Sequence, residues 1–159
     1  MPVIFPDAAP TLGGKSYRVA SLRYDQYATA VFAPEWVTDQ QTAELYAVFH
    51  GLRQAVLRKL SYICVATDNS SAYFTMLSGR ISARNYARLR IMRRINLLIY
   101  ESHCHVQLMW IPSGANLADS FSRTTNYLPL SISYNPDILL SYILTCRTLK
   151  DIGVIFNSR

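Results

Sequence analysis

The sequence predicts a mixed α/β fold, a single sheet of antiparallel and parallel strands with helices packed on it. Three observations carry that expectation. Strand-like segments separated by short polar turns open the chain; two later runs, residues 62–67 and 106–111, are almost wholly apolar; and stretches with helical spacing of apolar residues separate those runs. An antiparallel opening followed by alternating strands and helices is the pattern of a mixed sheet. A chain of 159 residues, half of them apolar, can bury a core without staples.

Val3-Ile4-Phe5 reads as the first strand, running out through Asp7-Ala8-Ala9-Pro10-Thr11 to a turn at Gly13-Gly14. Residues 17–22 and 27–33, rich in Tyr, Val and Phe and split by Asp25-Gln26, predict a hairpin that Pro34 stops. Thr38 and Gln41 make a capping-box pattern, and Leu45, Val48, Leu52 and Ala55 recur behind it at helical spacing. The apolar run 62–67 predicts a strand covered on both faces. Helices are expected over about 70–77 and 83–100, the second with Ile91, Ile95 and Leu98 on one stripe and Arg93 nearly opposite. A second buried strand, 106–111, ends at Pro112-Ser113-Gly114, and a short helix capped by Asn116 follows. The order is β-β-β-α-β-α-α-β-α.

These elements make one unit, residues 1–123. After it, 124–135 is irregular, and Asn135-Pro136-Asp137 starts a very apolar helix from Ile138 to about Lys150 that Gly153 stops. Ile138, Leu139, Leu140, Tyr142, Ile143 and Leu144 cover more than one face of it. Two readings stand side by side: an extra helix over exposed core, or a docking surface for a neighbouring domain.

Composition excludes several classes. The apolar content is too high for a disordered chain. No uncharged apolar run approaches the roughly 18–20 residues that span a bilayer, and the amino terminus lacks the layout of a signal peptide. Cys64, Cys104 and Cys146 are odd in number and far apart, fitting neither a disulfide framework nor a metal-ligand spacing, so an intracellular, reducing compartment is expected. The net charge is +6, and its placement matters more than its size. Between Asp68 and Glu101 there is no acidic residue, while Arg80, Arg84, Arg88, Arg90, Arg93 and Arg94 all lie there. An uncompensated run of Arg, without the apolar-versus-basic split of an interfacial helix, points to nucleic-acid phosphates and away from a membrane.

With only ten acidic residues, positions carry information. Asp7 ends the first apolar strand, Glu44 lies on the core stripe of its helix, Asp68 ends the buried run, and Asp119 follows the Asn116 cap. Each has a local explanation as a turn, pairing or capping residue. Together they suggest more, because strand ends of a parallel sheet share one edge. Gathered carboxylates repel, divalent cations remove that penalty, and two ions about 4 Å apart clamp a phosphodiester for in-line attack. Oxygen-only donors suit Mg²⁺ or Mn²⁺.

Four segments, Asp7-Ala8-Ala9-Pro10-Thr11-Leu12-Gly13-Gly14, Thr42-Ala43-Glu44-Leu45, Thr67-Asp68-Asn69-Ser70 and the run from Ile111 to Arg123, resemble the successive blocks of reverse-transcriptase-linked ribonuclease H. The likeness is to the hepadnaviral polymerase and tyrosine-recombinase retrotransposon types, and the Asn-x-x-Asp-x-x-Ser-Arg ending is its most specific part. It covers residues 3–123. The resemblance implies a ribonuclease H-like fold with a five-stranded mixed sheet. It also implies a metal-binding catalytic tetrad at Asp7, Glu44, Asp68 and Asp119, holding two Mg²⁺ or Mn²⁺ ions. The implied activity is cleavage of the RNA strand of an RNA–DNA hybrid, and the implied partner an upstream reverse transcriptase domain of the same polyprotein. The segment 80–94 lies where some members carry a basic helix that grips the hybrid.

Asn69 and Ser70, beside Asp68, are candidate hybrid contacts or, equally, caps of the next helix. Three features depart from the pattern. Pro6 precedes Asp7 inside a strand, which predicts a bulge; no histidine lies between Pro112 and Asp119; and the extension after Arg123 has no counterpart. The alternatives are a ribonuclease H-like scaffold that has lost catalysis and a nuclease of the same superfold acting on DNA.

Overall fold

The structure, a computed structural model, describes residues 2–11, 13, 16–23, 28–79, 81 and 84–112. Along the chain these form β1 (Val3–Pro10), β2 (Tyr17–Arg23), β3 (Ala28–Phe32), α1 (Gln40–Leu57), β4 (Tyr62–Thr67), α2 (Ser70–Ser78), α3 (Tyr86–Ser102) and β5 (His105–Trp110). The sheet order is β3-β2-β1-β4-β5. The first three strands pair antiparallel, and β1–β4 and β4–β5 pair parallel, so the sheet is mixed as the pattern predicts. The Asp25-Gln26 turn, the helix capped by Asn116, Cys146, the 123/124 boundary and the apolar helix from Ile138 lie outside the described residues.

The first strand corrects the sequence reading twice. It runs on through Pro6 to Pro10, so Asp7 sits in mid-strand instead of at its end. Its register with β2 is one-to-one from Ile4–Arg23 to Pro10–Tyr17, so Pro6 makes no bulge. Strand geometry supplies the reason. The Cys64 N–H donates to the Pro2 carbonyl at 2.8 Å, so by the two-residue repeat of a strand Pro2, Ile4 and Pro6 turn their backbone groups toward β4. Pairing with β4 covers only Val3–Cys64 and Ile4–Val65. The missing N–H of Pro6 therefore falls just past the end of that ladder and costs β2 nothing. Beyond residue 4 the β1–β4 ladder is not continued.

Asp39, not Thr38, caps α1. Its backbone is extended, its Oδ1 accepts from the Thr42 N–H at 2.8 Å, and its Oδ2 accepts from the Thr42 hydroxyl at 2.8 Å. A carboxylate outcompetes the hydroxyl one position earlier as an acceptor. Leu45, Val48, Leu52 and Ala55 are all buried, as their spacing predicts. Gly51 marks how tightly α1 lies on the sheet, since a Cβ there would stand 2.8 Å from Ser21 Oγ and 3.0 Å from Ile4 Cδ1.

One turn of α1 also carries a buried histidine. His50 Nε2 lies 2.8 Å from the Thr29 hydroxyl of β3. Burial, with a smaller contribution from the Arg53 charge, pushes its pKa down from 6.5 to about 4. The unfolded chain therefore binds a proton between those values that the folded chain refuses. Stability present above pH 6.5 should be lost as the pH falls through about 4, by up to about 3 kcal/mol at 1.36 kcal/mol per unit. Urea midpoints at pH 7 and pH 4.5 measure this, and His50→Gln should flatten the difference.

Asn69 caps α2, its Oδ1 accepting from the Ala72 N–H at 2.8 Å, and Gly79 stops the helix in the left-handed region at φ 67°. The third helix begins at Tyr86, three residues later than its periodicity suggests, and His103 closes it at φ 57°. Its buried stripe is Ile91, Met92, Ile95 and Ile99, with Leu98 on the flank, because positions four apart stack more squarely than 95 and 98. These helices and α1 close over Ile4, Ile63, Val65, Val106 and Leu108 on one face of the sheet. Cys64 and Ala66 on the other face of β4 are buried as well, which is why that strand reads as an unbroken apolar run.

Candidate metal centre

Three acids far apart in sequence meet where pairing between β1 and β4 has ended. Asp7, Glu44 and Asp68 each offer a carboxylate oxygen, and these atoms all lie within 4.8 Å of one another. Asp7 follows Pro6 on the stretch of β1 beyond its ladder with β4, Asp68 is the first residue after β4, and Glu44 is on the second turn of α1. Asp7 is 4% exposed, Glu44 6%, and Asp68 half-buried. The fourth candidate, Asp119, lies outside the described residues.

Such a cluster is unfavourable as three bare anions. Burial, then the charges of Asp7 and Asp68, push the Glu44 carboxyl up to about 9, against partial relief from the Gln40 amide and the Ala8 N–H. At neutral pH the metal-free site keeps a proton on Glu44. Oxygen-only donors at this spacing, two of the three buried and all acidic, fit Mg²⁺ or Mn²⁺ and not zinc. A divalent ion would replace that proton and remove the mutual repulsion.

The neighbouring candidates divide by what they touch. Asn69 is engaged as the α2 cap, and Ser70 is the exposed first residue of that helix. Arg88 reaches α1, its Nη2 lying 3.5 Å from Asp39 Oδ1 and its Nε donating to the Thr42 hydroxyl at 3.4 Å. Burial acts to raise the Asp39 carboxyl, but the Thr42 N–H and hydroxyl together with Arg88 hold it below its usual value. Arg90 and Arg94 lie over the Trp36 ring, their guanidinium carbons 4.5 and 5.7 Å from its centroid. Among the described residues neither has a carboxylate partner. Arg84 and Arg93 are exposed, and Arg80 lies outside the described residues.

Two participants escape the sequence reading. Trp36 sits in the connection before α1, with no local signal beyond an aromatic ring near a basic run. Gln40 lies one helical turn before Glu44, and a polar side chain there was the available cue.

No family model matches the sequence, and no curated protein matches it. Solved structures do match the fold. RNase H1 from the halophilic archaeon Halobacterium salinarum NRC-1 gives a TM-score of 0.62 at 14% identity, over 76% of this chain and 92% of that one. LC11-RNase H1, solved in complex with RNA/DNA hybrid, gives 0.63 at 15% identity, over 77% and 93%. The N-terminal RNase H domain of rv2228c from Mycobacterium tuberculosis, solved as a fusion with maltose-binding protein, gives 0.58 at 15%, over 91% and 96%. At these identities the likeness establishes the fold. The five-stranded mixed sheet with its helices is a ribonuclease H fold.

Proposed function

We propose that this chain is a divalent-metal-dependent ribonuclease H that hydrolyses the RNA strand of RNA–DNA hybrids. One observation carries the reading: within a ribonuclease H fold, Asp7, Glu44 and Asp68 converge to ligand distance of one another. A scaffold that had lost catalysis would have no need of a buried cluster of mutually repelling acids. Divalent ions bound there would supply Lewis-acid charge and an acidified water for in-line attack on a phosphodiester. Asp7, Glu44 and Asp68 would hold them, with Asp119 as the proposed fourth ligand. The hybrid seen on LC11-RNase H1 supports hybrid as the substrate.

The reading extends to a context. The segment blocks, above all the Asn-x-x-Asp-x-x-Ser-Arg run ending at Arg123, support a nuclease module of a reverse-transcribing element beside an upstream reverse transcriptase domain. Cys64 and Cys104 are buried, and no disulfide forms among the described residues, which is compatible with a reducing intracellular setting. The deciding experiment offers RNA–DNA hybrid, duplex RNA and duplex DNA side by side, with Mg²⁺ or with chelator. Cutting confined to the RNA of the hybrid, and stopped by chelator, is the expected result. Cutting of duplex DNA instead would replace this reading with a DNA nuclease of the same fold.

Arginines of α3 that face phosphates should make hybrid binding strongly salt-dependent and indifferent to base sequence. Neutralising Arg90, Arg93 and Arg94 together should flatten the plot of log affinity against log salt by about 0.9 for each phosphate that is no longer neutralised. An unchanged slope removes α3 from the interface.

A further inference from the structure

Gln40 opens α1, and its side chain bridges two elements of the site. Its Nε2 donates to the Ala8 carbonyl at 2.9 Å and to Glu44 Oε1 at 2.8 Å. Both partners are acceptors, so the amide must present its nitrogen there and spend both hydrogens. Ala8 directly follows Asp7 on β1, and its own N–H donates to the Glu44 carboxylate. Gln40, Ala8 and Glu44 thus close a ring of hydrogen bonds, fastening the helix's carboxylate to the strand that carries Asp7.

We propose that Gln40 is a positioning residue of the metal centre, fixing Glu44 against β1 so that Asp7 and Glu44 stand at ligand separation before an ion arrives. The proposal rests on the metal reading above. A glutamine suits the task for three reasons. From the first position of the helix, its reach spans one turn to Glu44 and across to β1. It adds no charge to a cluster already rich in anions. As a neutral donor it orients the Glu44 carboxylate without competing with Asp7, Glu44 and Asp68 as a ligand. Groups that orient metal ligands in this way typically change metal affinity about 10–100-fold when removed.

The test is calorimetric titration of the full chain with Mn²⁺, for wild type, Gln40→Met, Glu44→Gln and the double variant. Methionine matches the length and helix propensity of glutamine but donates nothing. Gln40→Met should weaken Mn²⁺ uptake about tenfold, while Gln41→Met, at the exposed neighbouring position, should leave it unchanged. On the Glu44→Gln background the same substitution should change the residual uptake little, because Gln40 acts through Glu44. A purely structural residue would give the same loss on both backgrounds, and that result overturns the proposal. Wild-type affinity in Gln40→Met overturns it too. Should circular dichroism show Gln40→Met unfolded, Gln40→Asn makes the same comparison, being one methylene too short to hold both acceptors. Absence of Mn²⁺ uptake by wild type would sink the metal centre itself, whereas normal wild-type uptake with an unaffected variant sinks only the role of Gln40.

Discussion

Replacing Asp68 with asparagine should abolish metal-dependent cutting of the hybrid while leaving hybrid binding nearly intact. The substitution keeps side-chain shape and removes one anionic ligand from the three gathered carboxylates. Asp68 is the best of the three for this purpose. It is half-buried and follows β4, whereas Asp7 is packed in mid-sheet and Glu44 is locked into α1, so the fold should tolerate the change at Asp68 best. Losing a ligand degrades both ion placement and transition-state charge. A rate loss of about a thousandfold or more is expected, equivalent to about 4 kcal/mol of barrier. Binding should stay within about threefold, because α3 arginines facing phosphates supply most of the affinity in this reading. Gel-resolved cleavage and a binding titration on one preparation measure both. Metal-dependent cutting at the wild-type rate in Asp68→Asn would exclude this cluster as the catalytic centre.

The second large effect concerns protons. Without metal, the folded chain holds the Glu44 proton up to about 9, while an unfolded carboxyl releases it near 4.5. Between those values the folded state binds one proton more, so stability falls as pH rises. The contribution is complete below 4.5 and gone above about 9, with a slope of up to about 1.36 kcal/mol per unit. Divalent metal should reverse the trend, because its uptake near neutral pH displaces that proton and is favoured by alkali. Calorimetry with Mn²⁺ at about pH 7.5, in two buffers of different ionisation enthalpy, should show close to one proton released. Glu44→Gln should flatten the pH dependence of the metal-free protein and abolish the proton release. If wild type and Glu44→Gln lose stability identically between about pH 5 and pH 9 without metal, Glu44 does not carry the proton.

Much of this was legible before any coordinates, and the reasons are physical. Burial of both faces leaves β4 few polar positions, so its bounds could be read from composition. Strand β5 instead lies at the sheet edge with His105 exposed, and runs 105–110, one residue earlier than its apolar run suggests. The α1 stripe was legible because it must repeat every three or four residues to meet the sheet. The acids stood out because a carboxylate at a strand end or on a core stripe calls for an explanation. What stayed hidden depends on tertiary partners. The choice of Asp39 over Thr38 turns on which side chain meets the Thr42 N–H and hydroxyl. The continuation of β1 through Pro6 depends on where the β4 ladder stops, which no window around Pro6 can show. Gln40 reads as an ordinary helix-start residue until Ala8 is placed beside it. The six arginines look alike along the chain, and only the fold separates Arg88, tied to Asp39, from Arg90 and Arg94, stacked on Trp36.

Pro6 bears on how the site would behave once the proposed metal is withdrawn. A gap between two neighbouring strands invites them to zip together whenever its contents leave, and a site emptied by chelation could seal itself in that way. Here the rung that would start the zip has no hydrogen to give, whatever the pH or metal supply. In the proposed metal centre, that missing donor takes away one of the bonds by which β1 and β4 would close over an empty site.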